Sequence, residues 1–346
     1  MTTWAHSMNG VPWTAKKMRQ AVSTLREGAS VTFAFGADSL ERLLELDEKV
    51  LALRPDLQLH AWSVAAARRL SHEEATALAS LAHVRHLRLS GLKGAPFDVL
   101  AGLKRLESLS IAATCRVDLS FVAQMSSLRH VELSAMLEHL EALARCKRLK
   151  TLALSGAIGD LAPLAGCTRL ESLRFGASTI RSVAFVAELR RLSRLDVDAA
   201  TVACALAPLV EVPRLAQLSL TNNRDLLDVA FVGGLVRLER LRIDQPRVVR
   251  LPDLSKLRRL SDVQLCLKAW TNPEVLETLP RVRSIALSEI NPKLKAERFY
   301  FLATSPELRA LEHVDVRFID FGKRRRAAIE AHFEAAGKKA LLVSEP

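Results

Sequence analysis

From residue 84 onward, apolar positions recur in one phrase, LxxLxL, with Val, Ile or Phe sometimes replacing Leu. It starts at Val84, Leu106, Leu128, Leu149, Leu170, Leu192, Leu215, Leu238, Leu260 and Val282, giving nine intervals of 21 to 23 residues. Such even spacing marks an internal repeat, and a period of roughly 20–50 residues signals a stacked architecture. A looser copy, Leu311-Glu-His-Val314-Asp-Val316, follows after 29 residues, and Leu57-Gln-Leu59 reads as a degenerate start. Within each phrase two apolar residues stand two apart, as Leu87 and Leu89 or Leu173 and Phe175 do. Polar residues alternate with them in His86-Leu87-Arg88-Leu89-Ser90, which predicts a short strand with one buried face.

All units run in one direction, so their strands must be parallel, and parallel strands need a crossover of about a dozen residues or more. A unit of about 22 residues with a five-residue strand leaves about 17, which suffices. One unit cannot bury its apolar side alone, but stacked units share a continuous core. The expected fold is α/β: a right-handed solenoid with a concave parallel β-sheet, short helical or 3-10 convex segments, and α/β caps at both ends.

Over roughly residues 81–317 the sequence resembles the leucine-rich-repeat family, most closely the bacterial internalin-like class with repeats of about 22 residues. Leu161-Ala-Pro163-Leu164-Ala-Gly-Cys167 matches that family's convex turn, (I/L)xPLxxL. Leu206-Ala-Pro208-Leu209 and Leu251-Pro-Asp-Leu254 are variants, and Val183-Ala-Phe185-Val186 is a looser one. The family usually places Asn three residues after the last strand leucine. Here that column reads Leu92, Thr114, Met136, Ala157, Ser178, Ala200, Asn223, Pro246, Lys268 and Ile290. Only Asn223 keeps the usual residue, so backbone groups on the descending side need other partners. The expected consequence is an irregular, less rigid coil. The resemblance implies protein binding through the concave face, a warrant by fold analogy.

The ends read differently from the middle, giving an expected organisation of a capping region at 1–80, a solenoid at 81–317 and a helix-strand cap at 318–346. Met18, Ala21, Val22 and Leu25 mark one helix face, and Val31-Thr-Phe33-Ala-Phe35 reads as a strand. Asp38-x-x-Glu41 and Ser71-x-x-Glu74 open two further helices with capping-box spacing. Ile329, His332, Phe333 and Ala336 give a last helical stripe, Gly337 a stop, and Ala340–Val343 a final strand.

Apolar residues make up 49% and charged residues 25%, which excludes a disordered chain, and a 5% aromatic share makes the core aliphatic. No apolar run is long enough to span a bilayer. The uncharged residues 1–15 are broken by polar positions and precede Lys16 and Lys17, the reverse of a secretory signal. The five cysteines show no CxxC spacing. These features point to a cytoplasmic protein in a reducing compartment, with secretion as an effector the other route.

Chemistry-bearing candidates have ordinary readings beside sharper ones. Cys146 and Cys167 occupy equivalent positions in adjacent units, but the same column elsewhere holds Leu103, Met125, Leu189, Val212 and Leu235, so they read as core. Cys115 and Cys204 read likewise, whereas Cys266 is expected on the concave side as a candidate reactive thiol. His86, His130 and His313 share an outward column, with His86 and His130 roughly 10 Å apart, too far to share one ion. Asp196, Asp198, Asp244 and Asp262 invite an acid–base or metal reading, but Arg194, Arg240 and Arg242 lie among them. No Walker loop, GxGxxG or GxSxG occurs. The expectation is therefore a protein that is not an enzyme and needs no cofactor or metal.

The formal net charge of +12 favours anionic partners in general terms. The position before each unit's first leucine concentrates it: Arg105, Arg148, Arg169, Arg191, Arg214, Arg237, Arg259 and Arg281, broken only by Ser127 and His83. This basic ridge is the basis of an alternative function, binding polyanions or nucleic acid, against which the scarcity of aromatic residues weighs. The leading expectation is recognition of a protein of complementary charge, as an inhibitor or immunity-type protein or a bacterial effector, without membrane contact. Its contact residues would be Arg88, Glu132, Arg174, Arg194, Asp196, Asp198, Arg240, Arg242, Asp244 and Asp262 on the outward strand face.

Overall fold

The structure, a computed structural model, describes residues 5–64, 68–317 and 322–344. The chain divides into two compact units, 1–170 and 171–346.

In the first unit β1 (Ala5–Asn9), α1 (Ala15–Thr24), β2 (Leu25–Phe35), α2 (Leu40–Leu46), β3 (Gln58–Ser63), β4 (Arg68–Arg69) and α3 (His72–Ala79) precede the repeats. The repeats then supply β5 (His86–Gly94), β6 (Ser108–Asp118), β7 (His130–Glu138) and β8 (Thr151–Ser155). The ladder runs β1-β2-β3-β5-β6-β7-β8 with every pair parallel, and β4 also pairs with β5. Both inward columns are apolar and buried: Leu59, Leu87, Leu109, Val131 and Leu152 stand in register, as do Ala61, Leu89, Ile111, Leu133 and Leu154. Leu57-Gln-Leu59 and Val31–Phe35 form strands as expected. Their ladder continues into the repeats through the β3–β5 pairing, so residues before 81 extend the same sheet.

The second unit holds β9 (Ser172–Gly176), β10 (Thr179–Ile180), β11 (Arg194–Asp198), β12 (Thr201–Val202), β13 (Gln217–Thr221), β14 (Arg240–Asp244), β15 (Asp262–Cys266) and β16 (Ser284–Ser288). After these come α4 (Phe301–Thr304), β17 (His313–Asp315), α5 (Gly322–Ala335) and β18 (Leu342–Val343). The order is β9-β11-β13-β14-β15-β16-β17-β18, again parallel throughout. Its inward columns run Leu173, Leu195, Leu218, Leu241, Val263, Ile285, Val314 and Phe175, Val197, Leu220, Ile243, Leu265, Leu287, all buried. Fully burying one such side chain is worth about 1.5–3 kcal/mol, so these columns dominate the stability of each unit.

Return segments are mostly single 3-10 turns, among them Ala162–Gly166, Ala184–Glu188 and Ala207–Glu211, which includes the expected turns at Pro163 and Pro208. Leu251-Pro-Asp-Leu254 departs from that expectation and forms no helical turn. There the Asp253 carboxylate accepts from the backbone N–H of Ser255, at 2.9 Å, competing with a continuing helix. Of the terminal segment expected as a cap, residues 318–321 and 345–346 lie outside the described residues. Within the remainder α5 buries Ile329 and Phe333, and Gly337 follows with φ +70°.

The missing asparagines do not leave the descending side unpaired. In the first unit β6 and β7 run on around the corner, pairing Arg116 with Met136, Val117 with Leu137 and Asp118 with Glu138. In the second, β10 and β12 form their own small parallel ladder. Asn223 keeps the family's role, its Nδ2 donating to Val197 O at 2.9 Å and its Oδ1 accepting from Ala200 N at 3.1 Å. Buried Asn272 does similar work from a different position, accepting from Leu251 N and Trp270 Nε1 and donating to Leu251 O. Backbone thus pairs with backbone where the asparagines are lost, with the register shifting at the corner between Leu89 and Leu92 and between Ala112 and Arg116.

Asp47 is a fastening in the first unit that the repeat pattern does not announce. It is buried, and its carboxylate accepts from Ala82 N at 2.7 Å and from His83 N at 3.1 Å, with His83 Nδ1 also 3.1 Å away. This ties the end of α2 to the chain entering β5. Replacing Asp47 with Ala would orphan two backbone donors, a loss of about 2–4 kcal/mol that urea unfolding should read as a lower midpoint with unchanged slope.

Candidate recognition surface

Each strand offers three outward positions, and register turns them into columns. In the first unit they read His86-Ser108-His130-Thr151, then Arg88-Ser110-Glu132-Ala153, then Ser90 and Ala112-Ser134-Ser155. Ser110 separates Arg88 from Glu132, and its hydroxyl donates to the Glu132 carboxylate at 3.2 Å. His86 and His130 are likewise held apart by Ser108, as expected, and burial lowers the pKa of His86. His60, one strand before Arg88, lies 2.7 Å from Ser90 Oγ, and burial and then Arg88 push its pKa down.

The second unit brings together the other eight proposed contacts. The first column runs Ser172, Arg194, Gln217, Arg240, Asp262, Ser284 and His313. The middle runs Arg174, Asp196, Ser219, Arg242, Gln264, Ala286 and Asp315, and the third Gly176, Asp198, Thr221, Asp244, Cys266 and Ser288. Arg194 Nε meets Asp196 at 2.8 Å, Arg174 stands 3.7 Å from Asp198, and Thr221 donates to Asp198 at 2.6 Å. Arg240 and Arg242 are exposed, and among the described residues neither has an ion-pair partner.

The proposed carboxylate cluster does not form. Asp198 and Asp244 are separated by Thr221, two strand spacings or roughly 10 Å, and Asp262 opposes Arg240 rather than Asp244. Among the described residues no group of three His, Cys, Asp or Glu could hold a metal ion. The arrangement presents alternating fixed charge on one face.

Two hollows lie side by side on this face. One of about 280 Å³ is lined by Arg194, Asp196, Gln217, Ser219, Arg240, Arg242, Asp262 and Gln264. The other, about 310 Å³, is lined by Arg242, Asp244, Gln264, Cys266, Ala286, Ser288 and Asp315. Gln217, Gln264 and Asp315 were not among the sequence candidates. Asp315 is gripped by Arg317 through two nitrogens, which holds its carboxyl below the usual range. The signal in the sequence was Asp315-Val-Arg317, a charged pair two apart in the degenerate last repeat.

All five cysteines are free. Burial pushes the Cys146 thiol up to about 11 and the Cys167 thiol up to about 12, consistent with core packing. Cys266 does face the concave side, but burial, then a hydrogen bond with Asp244, push its thiol up to about 12. It is held as the neutral thiol, the reverse of the reactive character expected. The arginines of the basic ridge are all exposed, and none has an ion-pair or hydrogen-bond partner among the described residues. Glu107, two residues after Arg105, engages Arg85 and Arg129, at 3.3 and 3.4 Å.

No family model matches the sequence, and no curated protein matches it either. Solved structures do match by shape. An internalin from Listeria monocytogenes is 20% identical over 83% of this chain and 78% of its own, with a TM-score of 0.57. The fold is that of the leucine-rich-repeat proteins. A second Listeria internalin (22% identical, half of this chain and 75% of its own, TM-score 0.39) overlaps less. A leucine-rich-repeat protein of Leptospira interrogans is 14% identical over 90% of this chain and 93% of its own, TM-score 0.44. The leucine-rich-repeat architecture accounts for the strand face and its turns but, at these identities, assigns no ligand.

Because the thiolate is the nucleophile, Cys266 should resist alkylation. At pH 7.5 iodoacetamide should label it at least a hundredfold more slowly than free cysteine, read by peptide mass spectrometry, with labelling rising only above pH 10 or so.

Proposed function

We propose that the chain recognises another protein, without catalysis, through the outward strand face of residues 171–346. One observation carries this reading: Arg240 and Arg242 stand exposed and unpaired between carboxylates on a hydrogen-bonded sheet, over two adjoining hollows. Unpaired guanidinium groups already held in register lose little entropy on meeting a carboxylate, and their geometry suits bidentate pairing. The alternating Asp columns would set orientation and reject partners of the wrong charge. Arg88 and Glu132 in the first unit are further proposed contacts. Residues 1–80 and 318–346 serve as caps to the recognition coil at 81–317.

The finer form of this reading is an inhibitor or immunity-type protein, or a bacterial effector, acting in the cytoplasm. The free thiols and the Ala, Arg and Leu-heavy composition support it. Among the described residues no helix is long and apolar enough to cross a membrane.

Affinity purification from the native host followed by mass spectrometry tests the reading. The expected result is one stoichiometric protein whose recovery falls at least tenfold with R240E/R242E and with D196R/D198R. Recovery of nucleic acid alone, or of a protein indifferent to both variants, overturns it.

A further inference from the structure

The second unit carries another charged feature that the strand face does not use. Immediately before the strand-face arginines, the chain enters each coil through a tight turn. Leu192 N bonds Leu189 O at 2.9 Å, Leu238 N bonds Leu235 O at 2.9 Å and Leu260 N bonds Leu257 O at 3.0 Å. The residue next to last in each turn is Arg191, Arg214, Arg237, Arg259 or Arg281. Two residues on, backbone bonds lock each coil to the one before: Ser193 to Glu171, Ala216 to Ser193, Glu239 to Ala216, Ser261 to Glu239 and Arg283 to Ser261, at 2.8–2.9 Å. Five guanidinium stems are therefore anchored at one strand spacing each, ~4.8 Å, along a single edge.

Cationic residues outnumber acidic ones along this edge. Across the five tetrapeptides at 190–193, 213–216, 236–239, 258–261 and 280–283, eight arginines face one carboxylate, Glu239. At the far end of the row a groove of about 540 Å³ is lined by Glu239, Arg259, Ser261, Arg281, Arg283 and Ala310. One ion pair, Arg283 with Glu312 at 4.0 Å, lies at that far end, and the five turn arginines themselves have no ion-pair partner among the described residues. No aromatic residue lies within those tetrapeptides, so the edge offers nothing on which bases could stack.

We infer that this arginine edge binds an extended acidic polypeptide segment, a run of Asp and Glu, as a second docking surface separate from the strand face. Alternate carboxylates of an extended segment share one face at about 6.8 Å, a spacing that long arginine side chains rooted ~4.8 Å apart can reach, and the groove takes the end of the segment. The interaction is exposed and electrostatic, so it should weaken with salt.

The test is fluorescence anisotropy of the full chain with a labelled oligoglutamate, at about 0.05 M salt, well below physiological screening. The expected result is saturable binding, lost at least tenfold in R214E/R237E/R259E/R281E. R181E/R224E/R247E/R250E, which changes net charge equally on the side where the chain leaves the sheet, should lose much less. The neutral set R214Q/R237Q/R259Q/R281Q, checked for folding by circular dichroism, should also lose binding, which separates loss of the site from loss of fold. R240E/R242E, which reverses the strand-face charge, should lose much less than R214E/R237E/R259E/R281E, so failure of the strand-face reading is distinguishable from failure of this one. Equal losses in both reversal sets would overturn the proposal by reducing it to net charge. An oligothymidylate of equal charge binding more tightly at the same edge would also overturn it, in favour of a phosphate ligand.

Discussion

The parallel backbone ladder is the constraint on which everything else in each unit depends. Because each coil returns to the same register, Leu195 lies between Leu173 and Leu218, and the inward columns close into a dry core. The same register decides what faces outward. Arg240 opposes Asp262 and Gln217 because Leu241 opposes Val263 and Leu218. A slip of one residue would exchange the two faces, and the buried leucines forbid it.

Corners are where this geometry costs most. Ala177, Ala199, Asn222 and Glu289 leave the sheet with positive φ, between 44° and 53°, a conformation that strains residues bearing a side chain. Gly156 takes that place in the first unit at φ +93°, where an added Cβ would come within 2.5 Å of Ala135 O. The coil tolerates strained alanines because the backbone beyond each corner finds partners at once. Ala177 N bonds Asp198 O, and Ala199 N bonds Thr221 O. Backbone pairing of this kind stands in for most of the asparagine ladder in a chain with only Asn223 in that column.

Charge on the molecule sorts by the same logic. Carboxylates and guanidinium groups two residues apart neutralise each other where they meet, as Arg194 and Asp196 within a strand or Asp315 and Arg317 at a strand's end do. Where arginines form no ion pair among the described residues, as at Arg240, Arg242 and the turn arginines, the charge stays available to a partner. The two surfaces differ in burial and shape: one is a pair of hollows on a pleated face, the other an exposed edge.

The amino-acid sequence by itself determined the repeat, the parallel direction, the inward leucine columns and the exposure of the turn arginines. These follow from periodicity, and periodicity is written along the chain. Only the tertiary structure decided which outward side chains meet, because that depends on register between residues some 22 positions apart. It separated Asp198 from Asp244, gave Glu107 to Arg85 and Arg129, and placed Cys266 beside Asp244 and within reach of Glu289, to which its thiol donates. It also joined β2 and β3 to the sheet and buried Asp47 under Ala82 and His83, contacts made by residues with no repeat pattern to announce them. A periodic signal reports which face a residue takes; the neighbour it meets there is set by how the coils close.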